Sequence, residues 1–118
     1  MTQEKGRVAE EKALVYLKKQ GLRLIMKNFN CRVGEIDLIM RDKDQLVFVE
    51  VRSRVSASFG GGVASVTHAK KQKIMKTACY YMLKYQDLNK VALRFDVISI
   101  DGKSAAITWI KDAFGIDY

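Results

Sequence analysis

The sequence predicts an α/β fold in one domain, with a mixed central sheet flanked by helices. Three observations lead there. Two stretches carry apolar residues at helical spacing, and five others are extended in character. Their order is helix, three strands, helix, two strands. A chain of 118 residues with 48% apolar content holds enough material for one buried core.

Residues 4–20 read as an amphipathic helix, with Ala9, Ala13, Tyr16, Leu17 and Gln20 on one face and Gly21 as its stop. Glu10 lies about 70° from the centre of that face, at its rim, where it can reach a neighbouring sheet. Glu11 points nearly opposite and is expected in solvent. Residues 22–30 form a first extended segment. Residues 33–41 and 46–54 are stronger strands joined at the turn Asp42-Lys43-Asp44-Gln45.

Strict alternation puts Glu35, Asp37 and Ile39 on one side of the first strand, and Ile36, Leu38 and Met40 on the other. In the second strand Leu46, Phe48, Glu50 and Arg52 share a side, opposite Val47, Val49 and Val51. Residues 55–65, with Gly60-Gly61-Gly62, read as a mobile loop. Thr67 is an N-cap for a helix over 68–85, with Ile74, Ala78 and Met82 in one row and Met75 and Cys79 beside it. Residues 91–100 are a strand. Asp101-Gly102-Lys103 makes a hairpin turn, and residues 104–110 pair back.

Lys and Arg number 21 against 13 Asp and Glu, a net charge of +8. That balance points to an anionic partner, nucleic acid first and an acidic membrane surface second. The charge is unevenly spread. Residues 1–32 hold 8 basic and 3 acidic side chains, and residues 66–90 hold 6 and 1. Residues 33–50 reverse the sign, with 2 basic and 5 acidic. A phosphate-gripping surface alone has no use for an acidic centre. A metal-dependent enzyme acting on a polyanion needs both.

Other classes lack their signals. No run approaches the roughly 18 apolar residues of a membrane span, and the N-terminus is too polar for a secretory signal. Cys31 and Cys79 are far apart, which argues against structural zinc and a disulfide framework and for a cytoplasmic protein with free thiols. His68 is the one histidine and reads as a helix-start residue. The glycine run lacks the spacing of a phosphate-binding P-loop.

The hairpin register concentrates the chemistry. A turn at residues 42–45 pairs residues whose numbers sum to 87, so Asp37 faces Glu50, Ile39 faces Phe48 and Glu35 faces Arg52. Opposed residues have Cβ atoms about 4.5–5.5 Å apart. Two carboxylates about 5 Å apart repel by roughly 3 kcal/mol at an effective dielectric of 20. A proton, a basic neighbour or a metal ion can offset that. Mg²⁺ or Mn²⁺ would take carboxylate oxygens, waters and substrate phosphate, with Glu10 as a third acidic group. The plainer alternative is an exposed carboxylate pair relieved by Arg52 or Arg54. Lys70 and Lys71 border the buried stripe of the second helix and are placed to point toward the pair.

Gly34-Glu35-Ile36-Asp37-Leu38-Ile39, followed by Val47-Phe48-Val49-Glu50-Val51-Arg52-Ser53-Arg54, resembles the small bacterial YraN family. Gly6-Arg7-Val8-Ala9-Glu10 is similar to the family's opening helix, with Ala9 where a second Gly is usual. Val66-Thr67, Lys70, Ala78, Tyr81 and Leu83 are similar to its second helix, and Arg94-Phe95-Asp96-Val97 to its late strand. The family is grouped with endonucleases related to Holliday junction resolvases and resembles the PD-(D/E)xK nuclease superfamily.

That resemblance implies a restriction-endonuclease-like core and a single nuclease-like domain over 1–118. It implies Asp37 and Glu50 as metal carboxylates with Mg²⁺ or Mn²⁺, Glu10 as the helix-borne acid and Lys70 as a phosphate contact. Arg52 stands where the superfamily has a catalytic Lys. Arg stays protonated, so it can stabilise charge but is a poor base. The expectation is a metal-dependent endonuclease on DNA, branched or single-stranded, gripped by Lys70, Lys71, Lys73 and Arg54. The rivals are a nucleic-acid-binding module that does not cut, and a protein-interaction scaffold. Homodimerisation through a sheet edge or the glycine-rich loop stays open.

Overall fold

The computed structural model describes residues 2–54, 66–85 and 92–115. In chain order the elements are α1 (Thr2–Lys19), β1 (Arg23–Cys31), β2 (Gly34–Asp42), β3 (Gln45–Arg54), α2 (His68–Tyr85), β4 (Ala92–Asp101) and β5 (Ile107–Phe114). The expected glycine-rich loop at 55–65 lies outside the described residues. The strands form one mixed sheet in the order β1-β2-β3-β4-β5. All neighbours are antiparallel except β3 and β4. A parallel pair needs a crossover connection, and α2 falls within it.

Each helix covers one face. On one side Ala9, Ala13, Leu14 and Leu17 of α1 pack on Leu38, Met40, Val47, Val49, Ile98 and Ile100. On the other, Ile74, Met75, Ala78, Tyr81 and Met82 of α2 pack on Ile36, Ile39, Phe48, Phe95 and Val97. β4 is buried on both faces from Arg94 to Ile100, as a central strand between two layers must be. No described helix is long and apolar enough to cross a membrane. Both cysteines are free thiols.

α1 stops where Gly21 takes φ 100. The Gly21 amide then reaches Lys18 O and the Leu22 amide reaches Leu17 O, at 3.0 and 3.1 Å. This is a Schellman ending, sealed by contact between Leu17 and Leu22 in one core cluster. Gln20, expected on the buried face, belongs to this terminating turn and is exposed, while Leu14 takes a buried place. Thr67 caps α2, its Oγ1 accepting from Lys70 N at 3.2 Å. The buried stripe of α2 includes Thr77 and Tyr81, and Cys79 is exposed outside it.

Two further sequence expectations need correction. The last strand begins at Ile107 rather than residue 104. The Asp101 carboxylate accepts from Lys103 N at 2.8 Å and Ser104 N at 3.1 Å, and Ala105 turns left-handed at φ 61. These contacts widen the hairpin loop by several residues. The second correction concerns alternation. Ile36 packs with Ile39 on the α2 face, whereas Leu38 and Met40 pack on the α1 face. The partner strand reverses at the same level. β1 pairs Lys27 with Leu38 and Phe29 with Ile36, and Asn28 between them has φ 52. One left-handed residue swings both strands, so Asp37 sits at the break.

Candidate functional site

The hairpin register is as the turn dictates from Asp42 to Leu38, where the ladder ends, so the expected Asp37–Glu50 and Glu35–Arg52 pairs are not part of it. Partners run from Asp42↔Gln45 through Arg41↔Leu46, Met40↔Val47 and Ile39↔Phe48 to Leu38↔Val49. At the next level Asp37 Oδ2 accepts the Val51 amide at 2.8 Å, a side chain standing in for a ladder bond. The Asp37 carboxyl also hydrogen-bonds Glu50 and feels the charge of Glu10. Its pKa is pushed up to about 8, first by burial and then by the Glu50 charge. The Val51 amide pulls the other way and is outweighed. The two carboxyls therefore meet, and Asp37 holds a proton when no cation is present.

Basic groups approach from one side. Glu50 Oε2 is 3.4 Å from Arg52 Nη1 and 3.9 Å from Lys70 Nζ. Lys70 thus reaches the site from the first turn of α2, where Thr67 fixes the helix start. Glu10 approaches from α1, held by Asn28 Nδ2 at 2.9 Å. Glu11, expected in solvent away from the sheet, is exposed but reaches Lys27 of β1 at 3.4 Å. Glu35 is exposed and level with Asn30 of β1.

The remaining basic candidates diverge. Lys71 Nζ lies 5.9 Å from the Phe114 ring centroid, over β5. Lys73 is exposed, and its carbonyl accepts the Thr77 hydroxyl at 2.7 Å. Arg54 pairs in register with Asp101 at the end of β3, and its buried Nε has no hydrogen-bond partner among the described residues. His68 is exposed at the start of α2.

Among the described residues, no three His, Cys, Asp or Glu side chains gather into one metal-ligating group. Glu10 stands beside the Asp37–Glu50 pair rather than completing a three-carboxylate cluster. The donor set is still suited to a hard divalent cation. Two carboxylates converge, one of them kept protonated first by burial and then by the charge of the other. Mg²⁺ commonly takes one or two carboxylates and fills the rest with water and phosphate.

Sequence reasoning missed a second polar cluster. Arg94 donates to Asp96 through Nε and Nη2 at 2.9 and 3.0 Å, and through Nη1 to Asp42 and Gln45 at 3.0 and 2.8 Å. Trp109 Nε1 and the Asp112 amide also donate to Asp96, both at 2.9 Å. An Arg and an Asp two apart on a strand was the available signal, since such residues share a face. The sequence also gave no weight to Asn28.

Comparison with known proteins places these residues in a lineage. Residues 9–100 match the Uncharacterised protein family UPF0102. The chain belongs to the UPF0102 family. This is the YraN family that the Gly34–Ile39 block resembles. A UPF0102 protein of Legionella pneumophila is 63% identical over 114 residues, 97% of each chain. One of Psychromonas ingrahamii is 52% identical over 110 residues, 93% of this chain and 88% of its own. One of Coxiella burnetii is 47% identical over 118 residues, all of this chain and 98% of its own. The span matched to UPF0102 holds Glu10, Asp37, Glu50, Arg52 and Lys70, and ends before β5.

Proposed function

We propose that this UPF0102 protein is a Mg²⁺- or Mn²⁺-dependent endonuclease acting on DNA, branched or single-stranded. The observation that carries the reading is the paired Asp37 and Glu50 carboxyls at a break in the sheet, with Arg52 and Lys70 beside them. Asp37 and Glu50 would hold the ion, with Glu10 as the neighbouring acid. A bound divalent ion supplies polarisation of a phosphoryl oxygen and an acidified water.

The chain's own groups do the rest. Arg52 presents a planar fork of donors to charge developing on the phosphoryl oxygens. Lys70 meets an adjacent phosphate as a point charge, and Lys71, Lys73 and Arg54 would meet the nucleic acid only at places away from the pair. Arg52 cannot accept a proton at working pH, so proton removal from water does not fall to it. DNA cleavage with Mn²⁺ on branched, single-stranded and plasmid substrates tests the proposal. Cleavage lost in Asp37→Asn supports it, and full-rate cleavage by that variant rejects it.

A second reading has its own observation. Arg52 and Lys70 both reach Glu50 Oε2, a charge balance that needs no ion. In that case the chain is a nucleic-acid-binding module that does not cut. Its binding would weaken with salt, about one unit of log-log slope per phosphate contact, and ignore chelator. Activity gained in Arg52→Lys returns the protein to the enzyme reading.

A further inference from the structure

Asn28 stands at an unusual place. Its backbone is left-handed at φ 52, a conformation that Asn tolerates far better than branched or bulky residues. It lies on β1 at the level of Asp37 on β2, between the pairs Lys27↔Leu38 and Phe29↔Ile36. Both strands reverse their inward faces here. The local twist turns the Asn28 side chain toward α1, where Nδ2 donates to Glu10 Oε1 at 2.9 Å. A carboxylate only accepts, so this contact uses the one part of the amide that can donate. Asn28 and Glu10 line an open groove of about 480 Å³ between α1 and β1, with Arg7, Val8, Glu11 and Lys27.

We infer that Asn28 is a positioning residue: from β1 it holds the Glu10 carboxylate beside the Asp37–Glu50 pair, leaving the groove open to it. The inference rests on the metal-dependent reading above. Without Asn28, Glu10 is a long, half-exposed acidic side chain beside a site that is already acidic. Its easiest course is to swing out into the groove. The hydrogen bond resists that, and the left-handed backbone aims the amide. One residue thus bends the strand that carries it and orients the acid on the helix above. Glu10 stands next to the two carboxylates that would hold the ion, and groups that fix a metal site's surroundings typically tune metal affinity by 10–100-fold.

The test is Mn²⁺ affinity of the full chain, with Asn28→Gly, Glu10→Gln and the double variant. Gly keeps the left-handed backbone and removes only the amide. Asn28→Gly is expected to weaken Mn²⁺ binding about tenfold while its melting temperature in chelator stays close to wild type. The double variant is expected to bind no more weakly than Glu10→Gln alone, because Asn28 acts through Glu10. Two results overturn the inference while leaving the metal site standing: unchanged Mn²⁺ affinity in Asn28→Gly, or losses that add in full in the double variant. Wild-type protein that binds no Mn²⁺ rejects the metal-dependent reading, and the inference with it.

Discussion

Burial and two neighbouring carboxylates keep the Asp37 carboxyl protonated up to about pH 8 in the metal-free protein. In the unfolded chain the same group ionises near its ordinary value of 3.8. Between those values the folded state binds more protons than the unfolded one. Stability therefore falls as pH rises from about 4 to about 8, and this contribution is gone above that. Asp37→Asn removes the titrating group and keeps the shape. At pH 8 in chelator the variant is expected to melt above wild type, by about 4–8 °C for each kcal/mol of relieved strain in a small domain. Its melting temperature is also expected to vary less between pH 5 and pH 8. Thermal melts across that range check both. Equal pH slopes in the two proteins would show that Asp37 is not held in this state. Such a trade of stability for charge is typical of functional sites.

At the scale of elements, the approach of α2 to β2 decides whether Lys70 reaches Glu50. Gly34 opens β2, and a Cβ there would stand 3.0 Å from Thr77 Oγ1. Thr77 is fully buried and its hydroxyl is engaged with Lys73 O, so it has little room to yield. Gly34→Ala is expected to destabilise the fold by about 1–3 kcal/mol in urea unfolding. Thr77→Ala in the same chain is expected to recover part of that loss.

Much of this scale was legible in the sequence, and the exceptions have physical causes. The five hairpin pairs followed from the turn at Lys43 and Asp44, because a short turn fixes register. The face of Ile36 did not follow. Alternation holds only while every residue keeps extended φ and ψ, and Asn28 on the opposite strand does not. The start of β5 was misplaced because the Asp101 side chain organises the loop beyond the three residues that composition marked. The Asp37–Glu50 meeting survived these departures, since it depends on the turn and not on the far end of either strand. The hold of Asn28 on Glu10 joins residues 18 positions apart on consecutive elements and left no local pattern.

Across the whole molecule the buried Arg94–Asp96 pair ties parts that are distant in sequence. Arg94 links β4 to the β2–β3 turn through Asp42 and Gln45, and Asp96 collects Trp109 and Asp112 from β5. Asp96 is fully buried. Arg94→Met would strand that carboxylate without a cation, at a cost of about 3–5 kcal/mol. Equilibrium unfolding is expected to register the loss in full. A change under 1 kcal/mol would mean that the remaining donors suffice.

The net charge of +8 is organised at the same scale. Its acidic centre supplies Asp37 and Glu50, α1 supplies Glu10, and the basic stretch of α2 supplies Lys70. The claim that these residues form a metal site is tested most directly by anomalous diffraction from crystals soaked in Mn²⁺. One peak within coordination distance of both the Asp37 and Glu50 carboxylates is the expected result. Carboxylate oxygens too far apart to share one ion, or manganese bound only elsewhere, would contradict it.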